Sequence, residues 1–283
     1  MTRIGLLHPG NMGSAVATTL VNGGHEVLWA SAGRSPRSQT RAQEAGLVDV
    51  GTVRELCQRS EIIFSVCPPE FADTVADEVI SVGFKGLFVD ANAIAPARTI
   101  AIGERMKRAG VTFVDGGIIG PASVKPRTVW MYVSGAAAPS VAECFAAGPM
   151  IADVVGTDIG QASGLKMCFA AYNKGRAALL ASTLAAAEHF GVREIIHQQW
   201  EHRDGPQRAE AEGFVTSVAP RAWRFVAEMR EISSTFASAG LPGEFHEGAA
   251  RLYEMLRKFK DAEDLNFDDV LAALTESRPV GSA

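Results

Sequence analysis

Residues 4 to 13 constrain the fold of this chain most, because they place a glycine-containing turn between a short apolar strand and a helix of small residues. The strand is predicted over Arg3 to Leu7 and the helix over Ser14 to Val21. A glycine turn in this context is typical of a dinucleotide-binding site. Gly10 would let a pyrophosphate approach the backbone, and Gly13 would let the helix pack closely on the strand. The free N–H groups and the dipole at the helix start favour bound phosphate.

The turn departs from the usual G-x-G-x-x-G pattern, because His8 stands where the first glycine is expected. Its position between a strand and a helix still favours cofactor binding over an ordinary joint. We therefore predict that the turn holds a cofactor through His8, Pro9, Gly10, Asn11, Met12 and Gly13. The sequence leaves open whether His8 touches the pyrophosphate or only fills the turn.

The first half of the chain alternates short apolar strands with helices. After the first strand, further strands are predicted over Glu26 to Ala30, Glu61 to Cys67, Gly86 to Asp90, Val111 to Asp115, Val129 to Ser134 and Ile151 to Val155. Such alternation predicts an α/β Rossmann domain, with a mostly parallel, doubly wound sheet, over residues 1–157. Ligands of such sheets bind at the carboxyl ends of the strands.

The second half reads as all helix and is predicted to be a separate domain over residues 158–283. A long alanine-rich helix is predicted from Asp158 to Phe190, followed by a helical stretch from Gln207 to Ala239 that is interrupted near Val218 to Pro220. Two more helices are predicted over Gly243 to Phe259 and Phe267 to Glu276. Residues 278–283 resemble a frayed tail.

Composition narrows the class of protein. The 283 residues carry a formal net charge of −5 and no dense Lys/Arg cluster, so we expect no nucleic-acid partner. No apolar run is long enough to cross a bilayer, and Met1 precedes a strand, so we expect no membrane association and a cytoplasmic location. The four cysteines are widely spaced, so we expect no metal site and no disulfide framework.

The segment after the second predicted strand bears on which dinucleotide is bound. NAD binders usually place an acid there, for the ribose hydroxyls. Here Ala30 to Ser38 contains no acid but offers Ser31, Arg34 and Ser35 as donors for a 2′-phosphate. We therefore predict NADP(H), the alternative being a solvated polar loop.

Three further segments follow the ends of predicted strands. Cys67, Pro68 and Pro69 form a rigid loop suited to pack against a cofactor ribose, with Cys67 as an inert thiol. Asn92 either binds the cofactor carboxamide or caps a turn. The run from Asp115 to Pro121 combines turn-forming residues with an isoleucine pair, and it predicts either an anion-binding substrate loop or a tight turn at the domain edge.

Together these patterns resemble the β-hydroxyacid dehydrogenase family of the 6-phosphogluconate dehydrogenase-like superfamily. The resemblance covers nearly the whole chain and includes the Gly10-Asn11-Met12-Gly13 turn. Within it, the chain is similar to a branch with a His-Pro-Gly-x-Met-Gly turn and a C-terminal helical domain of unknown function. The resemblance implies an NADP(H)-dependent oxidoreductase, a small-molecule substrate and a homodimer.

The resemblance also implies site residues. Gly160 to Lys166 is similar to the segment with the family's catalytic lysine, so Lys166 is the expected proton donor or acceptor. The family's substrate loop corresponds to Ile119, Gly120 and Pro121, where Ile119 replaces a serine and Pro121 a glycine.

The family's asparagine one turn after the lysine is Ala170 here. Asn173 lies nearly two turns after Lys166 on the same helix face and is the candidate substitute. These changes indicate a less polar pocket. Imine reduction, and a cofactor-binding sensor or scaffold without turnover, stay open as alternative functions.

Overall fold

The computed structural model describes residues 1–203 and 205–276, so the expected tail at 278–283 lies outside the described residues. The chain divides into two compact units, the first spanning Met1–Met167 and the second beginning at Cys168. The division falls inside the long helix rather than at its start, where the sequence placed the boundary of residues 1–157.

The first unit is built on one eight-stranded sheet in the order β3-β2-β1-β4-β5-β6-β7-β8. All neighbouring strands are parallel except β6 and β7, which are antiparallel. The strands are β1 (Arg3–Leu6), β2 (Glu26–Trp29), β3 (Val48–Asp49), β4 (Ile62–Ser65), β5 (Leu87–Asp90), β6 (Thr112–Ile119), β7 (Trp130–Ser134) and β8 (Ile151–Gly156). The predicted Rossmann architecture is confirmed, since the first six strands have the order of dinucleotide-binding sheets.

Helices cover both faces of this sheet, as continuous apolar strands require. They are α1 (Asn11–Asn22), α2 (Pro36–Glu44), α3 (Val53–Arg59), α4 (Ala72–Val82), α5 (Pro96–Arg108) and α6 (Ala138–Glu143). One core packs α1 and α6 through residues such as Val16, Leu20 and Val141. The opposite core packs α3, α4 and α5 through residues such as Leu56 and Ile102.

The second unit is helical among its described residues. Its elements are the later part of α7 (Gln161–His189), then α8 (Arg193–His202), α9 (Arg208–Val218), α10 (Ala222–Ser238), α11 (Glu244–Met255) and α12 (Phe267–Thr275). A short 3-10 turn at Ala219–Arg221 separates α9 from α10, and this confirms the interruption predicted near Pro220. The sequence prediction missed α8.

Small side chains let α7 pack closely within the second unit, where Ala177, Ala181 and Leu184 are buried. Tyr253 of α11 donates a hydrogen bond of 2.6 Å to the backbone oxygen of Lys174. Lys174 also forms an ion pair with Glu228, and its ammonium lies 4.5 Å from the Phe225 ring centroid. Among the residues that the structure describes, no helix is long and apolar enough to span a membrane.

One predicted loop is wrong. The chain does not turn after Asp115, because β6 continues to Ile119 and pairs with β7 from Asp115↔Ser134 to Ile119↔Trp130. The two glycines are in this strand because neighbouring atoms leave no room for side chains. A Cβ on Gly117 would lie 2.6 Å from the Ala162 oxygen and 3.0 Å from the Lys166 Cβ. Glycine at this position therefore reflects close helix packing and not a turn.

Candidate active site

The turn between β1 and α1 has the shape expected of a phosphate-binding turn. Gly10 is the N-cap residue of α1 in an extended conformation, and its N–H donates to the His8 oxygen at 2.9 Å. No side chain caps this helix start and no acid lies in its first turn. The first N–H groups and the positive end of the helix dipole are thus available to an anion.

Glycine occurs at positions 10 and 13 for different structural reasons. A Cβ on Gly13 would lie 2.1 Å from the His8 oxygen, so the turn and the helix can meet only at glycine. A Cβ on Gly10 would meet no atom within 4 Å. The protein itself therefore does not require glycine at position 10, and the open space beside it suits a ligand. Around them, Pro9 is buried, Asn11 is exposed and Met12 packs against the core.

His8 is half-buried and neutral near pH 7. Burial, with a smaller contribution from the positive charge of Arg34, lowers the pKa of His8 to about 4. Its buried Nδ1 has no hydrogen-bond partner among the described residues. The histidine therefore adds no charge to the turn, and its backbone oxygen is the atom that shapes the turn.

The segment after β2 brings a cation to the same edge of the sheet. The Arg34 N–H donates to the Ser31 oxygen at 3.0 Å, and the buried Arg34 Nε has no hydrogen-bond partner in the described part of the chain. Ser35 stabilises the start of α2, because its hydroxyl accepts a hydrogen bond from the Ser38 N–H and caps the helix. Arg34 therefore stays the strongest candidate for phosphate contact in this segment.

The fold adds an acid that the sequence reasoning missed. Asp49 ends β3 beside the end of β2, in register with Trp29, and is exposed. Hydrogen bonds from the Gly51 backbone and from Ser31 hold the pKa of Asp49 below its usual range, so it is ionised. The Asp-x-Gly spacing predicts this turn, but only the pairing of β3 with β2 brings the charge to Ser31.

Loops after β4 and β5 are joined through Asn92, whose side chain is 3% exposed. Its Oδ1 accepts from the Cys67 N–H at 2.6 Å, and its Nδ2 donates to the Ser65 hydroxyl at 3.1 Å. This geometry favours the turn-forming role of Asn92 over cofactor contact. Burial raises the pKa of Cys67 to about 12, so Cys67 stays a thiol, beside the exposed Pro68 and the half-buried Pro69.

Lys166 lies on the first turns of α7 and is half-buried. Its Cβ packs on β6 at Gly117, where a side chain in place of glycine would put a second Cβ only 3.0 Å away. The helix start is held by Asp115, whose Oδ2 accepts from the Gly160 and Ser163 N–H groups at 2.9 and 3.0 Å. The sequence thus fixes Lys166 relative to the sheet through one glycine and one buried acid.

The remaining candidates lie at the end of β6, in the segment that follows it and in the second unit. Ile119 ends β6, and Gly120 follows with φ +129° and no room for a Cβ beside the Thr128 oxygen, so the exposed Pro121 begins a constrained loop. Asn173 belongs to the second unit, where its Nδ2 donates to the Phe169 oxygen at 3.0 Å. The described residues contain no group of acids, histidines and cysteines able to hold a metal ion.

These features fit a nicotinamide dinucleotide. An uncapped helix start, an open glycine and a half-buried guanidinium are the groups that bind a phosphorylated anion. Comparison with known proteins agrees. Residues 3–147 match the family described as the NAD binding domain of 6-phosphogluconate dehydrogenase. The chain belongs to this family. Residues 187–256 match a domain of unknown function, DUF1932.

Individual relatives give the same picture. An uncharacterized 28.5 kDa protein of Methanothermus fervidus is 29% identical over 180 residues, which cover 64% of this chain and 69% of that protein. A conserved protein of unknown function, MTH1747, is reported as similar to 3-hydroxyacid dehydrogenases. Its structure aligns with a TM-score of 0.68 at 25% identity, over 91% of this chain and 97% of its own.

The fold is also that of the 3-hydroxyisobutyrate dehydrogenase of Mycobacterium tuberculosis, with a TM-score of 0.69 and 19% identity over 97% of this chain and 99% of the enzyme. The expected membership of the 6-phosphogluconate dehydrogenase-like superfamily is confirmed. Family and fold together support a nicotinamide-dinucleotide-dependent oxidoreductase.

Proposed function

We propose that this protein is an NADP(H)-dependent oxidoreductase that transfers a hydride between the nicotinamide and a small hydroxy or keto compound. The observation that carries the proposal is the open, uncapped start of α1 at Gly10, with the Arg34 guanidinium nearby. The α1 N–H groups would hold the pyrophosphate. Arg34 and Ser31 would hold the 2′-phosphate.

Asp49 opposes this preference in part, because its negative charge lies beside Ser31. A carboxylate there accepts hydrogen bonds from ribose hydroxyls and repels a phosphate. Arg34 would have to outweigh that repulsion. The balance of these two side chains sets the ratio of NADPH to NADH affinity.

Lys166 is the proposed catalytic residue. When bound, the nicotinamide supplies or accepts the hydride. In carbonyl reduction, the Lys166 ammonium would donate a proton to the substrate oxygen, and in alcohol oxidation the neutral amine would accept it. The packing of α7 on Gly117 fixes the base of this side chain, which favours a defined proton position. Asn173 is the proposed second group, orienting the substrate oxygen.

The segment after β6 supports a substrate of low polarity. Ile119 and Pro121 have apolar side chains, so polar contacts there come from the backbone. This observation favours imine reduction as the second candidate reaction, and imine reductases are among the proteins of this fold. A keto acid would need a cation, while a neutral imine would not.

We propose that the protein acts as a homodimer. In the second unit, the face of α7 exposes Phe169, Tyr172 and Leu179 at 47%, 67% and 54%. Their spacing places them along one side of the helix, and such an apolar stripe marks an interaction surface. Sedimentation at twice the 30.0 kDa chain mass is expected, and a 30.0 kDa species at micromolar concentration would contradict the dimer.

The test of the reaction is a screen of ketones, keto acids and imines with NADPH, followed by Lys166→Ala and Lys166→Arg. Loss of kcat in Lys166→Ala, by about 100-fold or more, with NADPH affinity kept, is the expected result. Lys166→Arg controls for charge, because it keeps the cation but cannot accept a proton at neutral pH. A sensor without turnover would bind NADPH, reduce no compound and be indifferent to Lys166→Ala.

A further inference from the structure

Two buried carboxyl groups lie side by side beneath the carboxyl edge of the sheet. Asp90 ends β5 and Asp115 lies opposite it in β6, and the two side chains are 1% and 0% exposed. Residues paired in register on parallel strands project to the same face of a sheet. Neither group belongs to the cofactor turn or to the proposed proton transfer.

The hydrogen bonds that Asp115 accepts are those that stabilise an ionised carboxylate. Its Oδ2 accepts from the N–H groups of Gly160 and Ser163, from the Ser163 hydroxyl at 3.2 Å and from the Ser134 hydroxyl at 3.1 Å. Both N–H groups belong to the start of α7, where the helix dipole favours negative charge. Burial raises the pKa of Asp115, and these four hydrogen bonds oppose that rise.

Asp90 has fewer donors around it. Its Oδ1 accepts one bond of 3.0 Å, from the Asn92 N–H. Burial and the nearby charge of Asp115 raise the pKa of Asp90 to about 7, against the opposing effect of Asn92 and the charge of Arg98 on α5. The other titratable neighbour is Cys67, which follows β4 and whose pKa the Asp90 charge helps to raise.

One oxygen of each carboxyl group is left over. Asp90 Oδ2 and Asp115 Oδ1 are buried and accept no hydrogen bond from the described residues. Two adjacent buried carboxylates with an unbonded oxygen each would be strongly destabilised. A single proton held between Asp90 and Asp115 would remove one charge and give the two unbonded oxygens a hydrogen bond.

We infer that Asp90 and Asp115 share one proton, and that this carboxyl pair is a positioning device that joins β5, β6 and the start of the helix carrying Lys166. The pair makes the folded protein sensitive to alkali. Between pH 4 and pH 7 the folded state keeps a proton that the unfolded state has lost, so the stability contributed by the pair decreases as pH rises through this range. Above pH 7 the folded state carries two adjacent charges.

The experiment compares thermal unfolding of the wild type, Asp90→Asn and the exposed control Asp153→Asn from pH 5 to pH 8. Asparagine has nearly the same size as aspartate, is neutral and has no proton to lose. The melting temperature of Asp90→Asn minus that of the wild type should therefore increase as pH rises from 5 to 8, by several degrees in total. The melting temperature of Asp153→Asn should change with pH as that of the wild type does. If the melting temperatures of Asp90→Asn and the wild type differ by the same amount at every pH, the inference is overturned.

Infrared spectroscopy of the wild type tests the shared proton without any need for the variant to fold. A protonated carboxyl band should be present at pH 6 and disappear in alkali. It should also be absent from Asp90→Asn if that variant folds. A wild type without this band at pH 6 would equally overturn the inference. Both measurements are independent of dinucleotide binding, so their failure leaves the proposed function untouched.

Discussion

Gly10 and Gly13 test the phosphate-binding turn most sharply, because the same substitution by alanine should have opposite consequences at the two positions. At Gly10, with φ −74° and ψ −173°, an added Cβ meets no atom within 4 Å. Alanine tolerates this backbone, so the free energy of unfolding of Gly10→Ala should change by less than about 1 kcal/mol.

The same methyl group would occupy the space that a pyrophosphate needs beside the first N–H groups of α1. The Kd of Gly10→Ala for NADPH should therefore rise at least ~10-fold, which corresponds to ~1.4 kcal/mol of binding free energy.

Gly13→Ala serves as the matched variant. Its Cβ would lie 2.1 Å from the His8 oxygen, so the turn or α1 must shift, and the free energy of unfolding should fall by about 1–3 kcal/mol. Urea denaturation measures the stability of both variants and fluorescence titration measures NADPH affinity. A Gly10→Ala protein that binds NADPH like the wild type would refute the assignment of this turn, as would one destabilised as much as Gly13→Ala.

Three further substitutions probe other parts of the account. Asp49→Asn removes the charge beside Ser31, so the ratio of NADPH to NADH affinity should rise by roughly 3-fold or more, and an unchanged ratio would place Asp49 outside the cofactor site. Gly117→Ala would put a Cβ 2.6 Å from the Ala162 oxygen, so unfolding by urea should become easier by about 1–3 kcal/mol, and wild-type stability would contradict the close packing of α7. Tyr253→Phe loses the hydrogen bond to the Lys174 oxygen, so the free energy of unfolding should fall by about 1 kcal/mol in the same assay, and wild-type stability would contradict the contribution of this bond.

Much of the first unit follows from local sequence, because strand and helix periodicity is a local property. The turn from His8 to Gly13, the apolar strands other than β6 and the long helix α7 lie close to their predicted bounds. The two-residue strand β3 and the short helix α3 were missed, since a segment of that length has too few residues to show a period.

The error at Asp115 to Ile119 has a different origin. Asp-Gly-Gly is typical of a turn, yet Gly116 and Gly117 lie in β6 because other parts of the chain come close to them. A Cβ on Gly116 would lie 3.1 Å from the Asp90 backbone oxygen, and a Cβ on Gly117 would contact α7. No pattern within the segment itself distinguishes a glycine needed for a turn from one needed for a close approach.

The candidate site shows the same limit. Arg34 could be proposed from the sequence, because it follows the second strand, where dinucleotide-binding domains contact the adenine ribose. Asp49 could not, since its charge reaches Ser31 only through the pairing of β3 with β2. The pairing of Asp90 with Asp115 is equally invisible in the sequence, because it depends on the register of β5 against β6.

The proposed function depends on binding of a phosphorylated nicotinamide dinucleotide by the first unit at the β1–α1 turn. The most direct measurement is a fluorescence titration of the wild type and Arg34→Ala with NADPH and with NADH. The expected result is saturable binding of both cofactors by the wild type, tighter for NADPH, and a selective loss of NADPH affinity in Arg34→Ala. Absence of saturable binding of either dinucleotide to the wild type would contradict it.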